Sequence, residues 1–177
     1  MTSHTRPRAL TLDANVVIEL HRLGMWRKFC KALQVTVGSI VASECRYFED
    51  SDTGERFDID LEGQAQKGEI RIVEASVSDL TSLSVLDKMT YDGLHDGEQE
   101  VLAIMFSGRV SGCVLCTGDG TALRGAVLGG CGDSCMSLEA VLGQLRMKYQ
   151  AREQFSEATF TQWWRNAQEH RMHNIKL

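Results

Sequence analysis

The chain has 177 residues with one proline; 43% are hydrophobic, 24% are charged, and the formal net charge is −5. These values fit one globular domain with a core that needs no staples. They exclude recruitment of nucleic acid by a long-range positive field, so a polyanionic partner would need local cations, bound divalent ions above all. The opening residues MTSHTRPRAL lack the apolar core of a signal peptide, and no run reaches the ~20 apolar residues of a membrane span. The expectation is a cytoplasmic protein that does not engage membrane, with its six cysteines reduced.

The elements alternate along the chain. ALTLD predicts a strand over about 9–13, leading into a helix over 15–23 that Gly24 ends, and MWRKFCKAL reads as a second helical piece. Gln34 to Val37 predicts a short strand. Ser39 predicts the cap of a helix running from Ile40 to Phe48. EDSDTGERFD reads as an exposed loop, Asp58 to Lys67 as a short helix and EIRIVEAS as a strand. Ser78 or Asp79 opens a helix to about Lys88, and Asp96 caps another from Gly97 to Phe106. CVLCTGD is apolar almost throughout, as buried parallel strands are. A short helix over 121–126 follows, then the glycine-rich LGGCGDSC with the last strand, a helix from Leu138 to Lys148 opened by Ser137, and a final helix over 156–172. That last helix carries Phe160, Trp163, Trp164 and Ala167 on one side, the pattern of a packed face. Strands that alternate with helices predict an α/β fold with a mainly parallel sheet.

Four acids stand out. Asp13 and Asp119 fall at predicted strand ends, where α/β sheets bind ligands, although each alone is an ordinary helix cap. Glu44 follows Ile40 and Val41 and precedes Phe48 at helical spacing, which predicts a place on the apolar face. Glu98 precedes Val101, Leu102 and Met105 in the same way, whereas Glu100 lies off that line. Unpaired carboxylates on buried faces are costly unless paired or metal-bound, so either a cation or partners such as Arg46 and Arg124 must answer them. Magnesium and manganese prefer carboxylate oxygens, and the histidines form no cluster. The spacing of Cys113, Cys116, Cys131 and Cys135 is similar to that of a zinc knuckle. A strand, however, sends residues three apart to opposite faces, so structural thiols are the expectation.

LDANVVIEL, VASECRYF, DGEQEVLAI and CTGDGTALRGA resemble, in that order, the motifs of the PIN-domain nucleases, including the toxin nucleases of bacterial toxin–antitoxin pairs. The resemblance covers about residues 9 to 145. It implies a three-layer α/β/α fold, with a PIN-like domain over 1–150 and a helical tail over 151–177 packed on it. It also implies a catalytic and metal-binding quartet of Asp13, Glu44, Glu98 and Asp119, supported by Asn15, Thr117 and Ser137. The activity implied is Mg²⁺- or Mn²⁺-dependent phosphodiester hydrolysis, by metal-activated water, of single-stranded RNA. Arg22, Arg46 and Arg124 are candidates for phosphate contact, and Trp26 or Tyr47 for base stacking. An antitoxin protein and a second copy of the chain are the partners implied. Two departures are Gly120 and Thr121, where the family often places a further acid or asparagine, and the Gly- and Cys-rich stretch around Asp133. The alternative is a PIN-like module that binds protein or RNA without cleaving it. A dehalogenase-like phosphatase fits less well, because Asn15 stands where its second aspartate is needed.

Overall fold

A computed structural model describes residues 9–50, 52–110, 112–150 and 152–174. Strand β1 (Ala9–Leu12) stops at Asp13, whose Oδ1 accepts from Val16 N at 2.8 Å and so caps helix α1 (Ala14–Arg22). Helix α2 (Trp26–Ala32) follows, then β2 (Gln34–Gly38) and the short α3 (Ser39–Glu44). A hairpin of β3 (Tyr47–Glu49) and β4 (Arg56–Asp58) leads to α4 (Leu61–Gln66) and β5 (Arg71–Val73). Helices α5 (Val77–Thr81), α6 (Lys88–Asp92) and α7 (Asp96–Phe106) precede β6 (Val114–Cys116). The chain then forms α8 (Gly120–Leu128), β7 (Cys135–Met136), α9 (Leu138–Gln144) and α10 (Glu157–Asn174).

The fold is α/β: a five-stranded sheet in the order β5-β2-β1-β6-β7, every pairing parallel, flanked by helices. From β1 the chain builds outward to β2 and β5, then returns to lay β6 and β7 on the other side. The order therefore reverses between β1 and β6, where open α/β sheets leave a crevice at their carboxyl ends. Leu12 pairs with Cys116, so Asp13 and Thr117 emerge side by side one residue beyond that rung. Leu12, Val37, Leu102, Leu115 and Leu142 lie in one buried cluster that also holds Phe155 and Ala167 of the tail. Among the described residues no helix is long and apolar enough to cross a membrane.

Three expectations need correction. The helix after β2 ends at Glu44 rather than continuing to Phe48. Tyr47 and Phe48 are extended instead and pair with Asp58 and Phe57, and the Phe48 and Phe57 rings stack at 5.2 Å. EDSDTGERFD is thus the turn and second strand of a hairpin, not a plain loop. The helix expected up to Lys88 opens earlier, at Ser76, whose side chain and that of Asp79 each accept the other's backbone N–H. It then tightens into a 3₁₀ turn over Ser82–Val85 and yields to α6, capped by Asp87.

Candidate functional site

The site stands at the β1–β6 crevice. Asp13 is buried, and Thr117 Oγ1 and Gly118 N (3.1 Å) both donate to its Oδ2. Thr117 Oγ1 also accepts from Asp119 N at 3.0 Å, so one hydroxyl ties the two strand-end aspartates together. Asp119 caps α8: its Oδ1 accepts from Thr121 N at 2.6 Å and Ala122 N at 2.9 Å. Glu98 enters from the first turn of α7, 9% exposed, its Oε2 accepting from His95 N at 3.0 Å. Among the described residues no hydrogen bond reaches Asp119 Oδ2 or Glu98 Oε1.

Burial raises the pKa of Asp13 despite its three donors, and Asp119 adds to the rise. Glu98 is pushed up to about 7, first by burial, then by the charge of Asp119, with Asp13 contributing further. The charge of Asp119 thus opposes ionisation of Asp13, and the charges of Asp119 and Asp13 oppose ionisation of Glu98. Neither Glu98 nor Glu44 forms an ion pair among the described residues, which removes Arg46 and Arg124 as their expected partners.

Glu44 is exposed, a correction to its expected place on a buried face, because α3 ends at this residue. Its carboxylate nevertheless lies over Gly97, where a Cβ would meet Oε2 at 3.3 Å. The fully buried Cys45 beside it has its thiol pushed up to about 12, first by burial, then by Asp13 and Glu44. Asn15 is exposed at the start of α1. Ser137 is buried and caps α9, its Oγ accepting from Ala140 N at 3.0 Å; it holds that helix rather than the acids.

The cations divide. Arg22 is committed to Glu19, with both contacts at 2.8 Å, so its expected role in phosphate contact is not supported by its position. Arg46 is exposed two residues beyond Glu44, and Arg124 on α8 has a buried Nε with no partner among the described residues. Trp26 is 4% exposed and donates to Gln64 Oε1, which makes it a packing residue; Tyr47 is exposed under the Arg56 guanidinium. Cys116 and Cys135 are buried at adjacent rungs of the β6–β7 pair, and Cys135 Sγ donates to Cys131 O at 3.5 Å. As the side chains stand, no three His, Cys, Asp or Glu among the described residues could hold an ion between them.

Glu100 is the site neighbour that the pattern of a single apolar stripe passes over. Helix α7 is buried on several sides, so Glu98 and Glu100 are both inside. Glu100 accepts from Ser39 Oγ (2.6 Å), Ile40 N (2.8 Å) and Ala75 N (3.3 Å). It thereby caps α3 from another helix, since the residue at that cap is Gly38, and a Cβ on Gly38 would overlap the Glu100 carboxylate. Glu100→Ala strands these three donors and is expected to cost about 2–3 kcal/mol in chemical denaturation. Loss below ~0.5 kcal/mol would show the cap to be dispensable.

No family model matches the chain, and no curated protein matches it.

Proposed function

We propose that this protein is a PIN-like, divalent-cation-dependent phosphodiester hydrolase, an endoribonuclease acting on single-stranded RNA. The observation that carries the reading is the set of Asp13, Glu98 and Asp119 at the β1–β6 crevice: Asp119 raises the pKa of Asp13, both raise that of Glu98, and none of the three is ion-paired to Lys or Arg among the described residues. Such a group is electrostatically incomplete without a cation. The all-carboxylate donor set has the chemistry that Mg²⁺ or Mn²⁺ takes. Asp13, Glu98 and Asp119 would hold it after turning toward one another, with exposed Glu44 closing from the rim. A bound ion supplies charge neutralisation at phosphate and a lowered pKa for water.

The chain's own residues do the positioning. Thr117 holds the Asp13 carboxylate, the α8 N-terminus holds one oxygen of Asp119, and His95 N holds one oxygen of Glu98. Arg46 and Arg124 are proposed for phosphate contact and the exposed Tyr47 for base stacking, as the resemblance implies; Arg46 Nε already donates to Ser43 O, and one face of the Tyr47 ring is covered by Arg56.

A second reading, a PIN-like binding module without catalysis, draws on Asp13 already being held by three donors. One experiment separates the two. Labelled single-stranded RNA is incubated with Mg²⁺ or Mn²⁺, with and without chelator, using wild type, Asp13→Asn and Asp119→Asn. Cation-dependent cleavage that each substitution slows by about 100-fold or more is expected. Cleavage untouched by both substitutions, or no Mn²⁺ binding by calorimetry, would leave the binding module as the better account.

A further inference from the structure

A groove of about 1070 Å³ runs between α9 and α10 beside β7, apart from the four acids. Its floor is apolar, built from Cys135, Met136, Phe160 and Trp164. Its polar lining is one-sided: Asp133, Glu139 and Glu157 contribute, while no Lys, Arg or His lines it among the described residues. Gln144 also lines it. β7 is the edge strand, paired to β6 alone among the described residues, and both its residues line the groove.

We infer that this groove docks an extended, basic and apolar segment of a partner protein. The volume lies at the upper limit of small-molecule pockets and suits several residues of chain. Cys135 N–H on this edge is already taken by Gly132 O, so an extended segment would be held chiefly by its alternate side chains on the apolar floor. Three carboxylates, one of them (Glu139) accepting from Glu157 N, with no Lys, Arg or His among the described lining residues, favour Arg or Lys and repel a phosphate backbone, so RNA is not the occupant. The inference rests on this groove alone and stands whether or not the acid site cleaves RNA.

The test uses labelled peptides of alternating Arg and Leu, with a Glu/Leu peptide as counterpart, read by anisotropy and by tryptophan emission of the full-length protein. The Arg/Leu peptide is expected to bind and to change the emission, and Trp164→Phe to lose that change. Reversing the exposed Asp133 and Glu157 together (Asp133→Lys, Glu157→Lys) is expected to weaken binding by about tenfold. The same reversal on the distant hairpin turn (Asp52→Lys, Glu55→Lys) should leave binding unchanged. Equal weakening by both reversals would reduce the effect to net charge and overturn the inference. So would equal binding of the Glu/Leu peptide, competition by single-stranded oligouridine, or no binding of the Arg/Leu peptide.

Discussion

Glu98→Gln is expected to make the cation-free protein more stable at neutral pH and to flatten its pH dependence. The folded state pushes the Glu98 pKa from 4.5 up to about 7, by burial first and by Asp119 next. A raised pKa in the folded state means that the protonated acid is the one the fold tolerates. Its contribution is fully present below about 4.5 and is lost as pH rises through about 7. Glutamine keeps an oxygen for His95 N and never ionises, so it avoids that loss. After allowance for solvent screening, the gain at neutral pH is about 1–2 kcal/mol, a few degrees in melting temperature for a chain of this size. Added Mn²⁺ is expected to stabilise wild type and to stabilise Glu98→Gln much less, while RNA cleavage by the variant falls. Thermal melts across this pH range in chelator are the direct check. A variant less stable than wild type at neutral pH would mean that Glu98 has a cationic partner in solution and that the acid cluster is not strained.

Phe155→Ala is expected to be among the most destabilising single changes in the protein. Phe155 is 2% exposed in a short 3₁₀ turn over Glu153–Phe155, and its ring lies directly on Gly118. Removing a buried ring of this size costs about 3–5 kcal/mol, a large share of the ~5–15 kcal/mol that holds a domain folded. The loss also falls where it matters for the site. Gly118 donates to Asp13 and precedes Asp119, and Trp163 of α10 packs over Gly120 on the other side. The tail thus walls the loop that carries Asp119 and donates to Asp13. Urea denaturation gives the energy, and cleavage measured well below the variant's melting temperature tests the local effect. Cleavage at the wild-type rate in the surviving folded fraction would show that the loop keeps its shape without the ring. A methyl at Gly118 would overlap the same ring, so Gly118→Ala should fail for the complementary reason.

The sequence by itself determined the features whose physics is local. Asp13, Asp119 and Ser137 cap the helices that follow them because a side-chain oxygen reaches an N–H two or three residues on, and that reach is readable from neighbours alone. The parallel α/β class followed from strands separated by helices, and the burial of Glu98 from its spacing to Val101 and Leu102. What depended on distant partners was decided only in three dimensions. Helical spacing continues through Glu44 to Phe48, but pairing with Phe57 across a turn makes Phe48 a strand residue and leaves Glu44 in solvent. Glu100 caps α3 from 60 residues away along the chain, and the ring under Gly118 comes from the tail. The strand order that brings Asp13 beside Thr117, and so sets Asp119 and Glu98 against it, is a property of the assembled sheet. Capping and periodicity act over one helical turn, whereas burial and charge coupling depend on which other segment arrives, and only the folded chain supplies that segment.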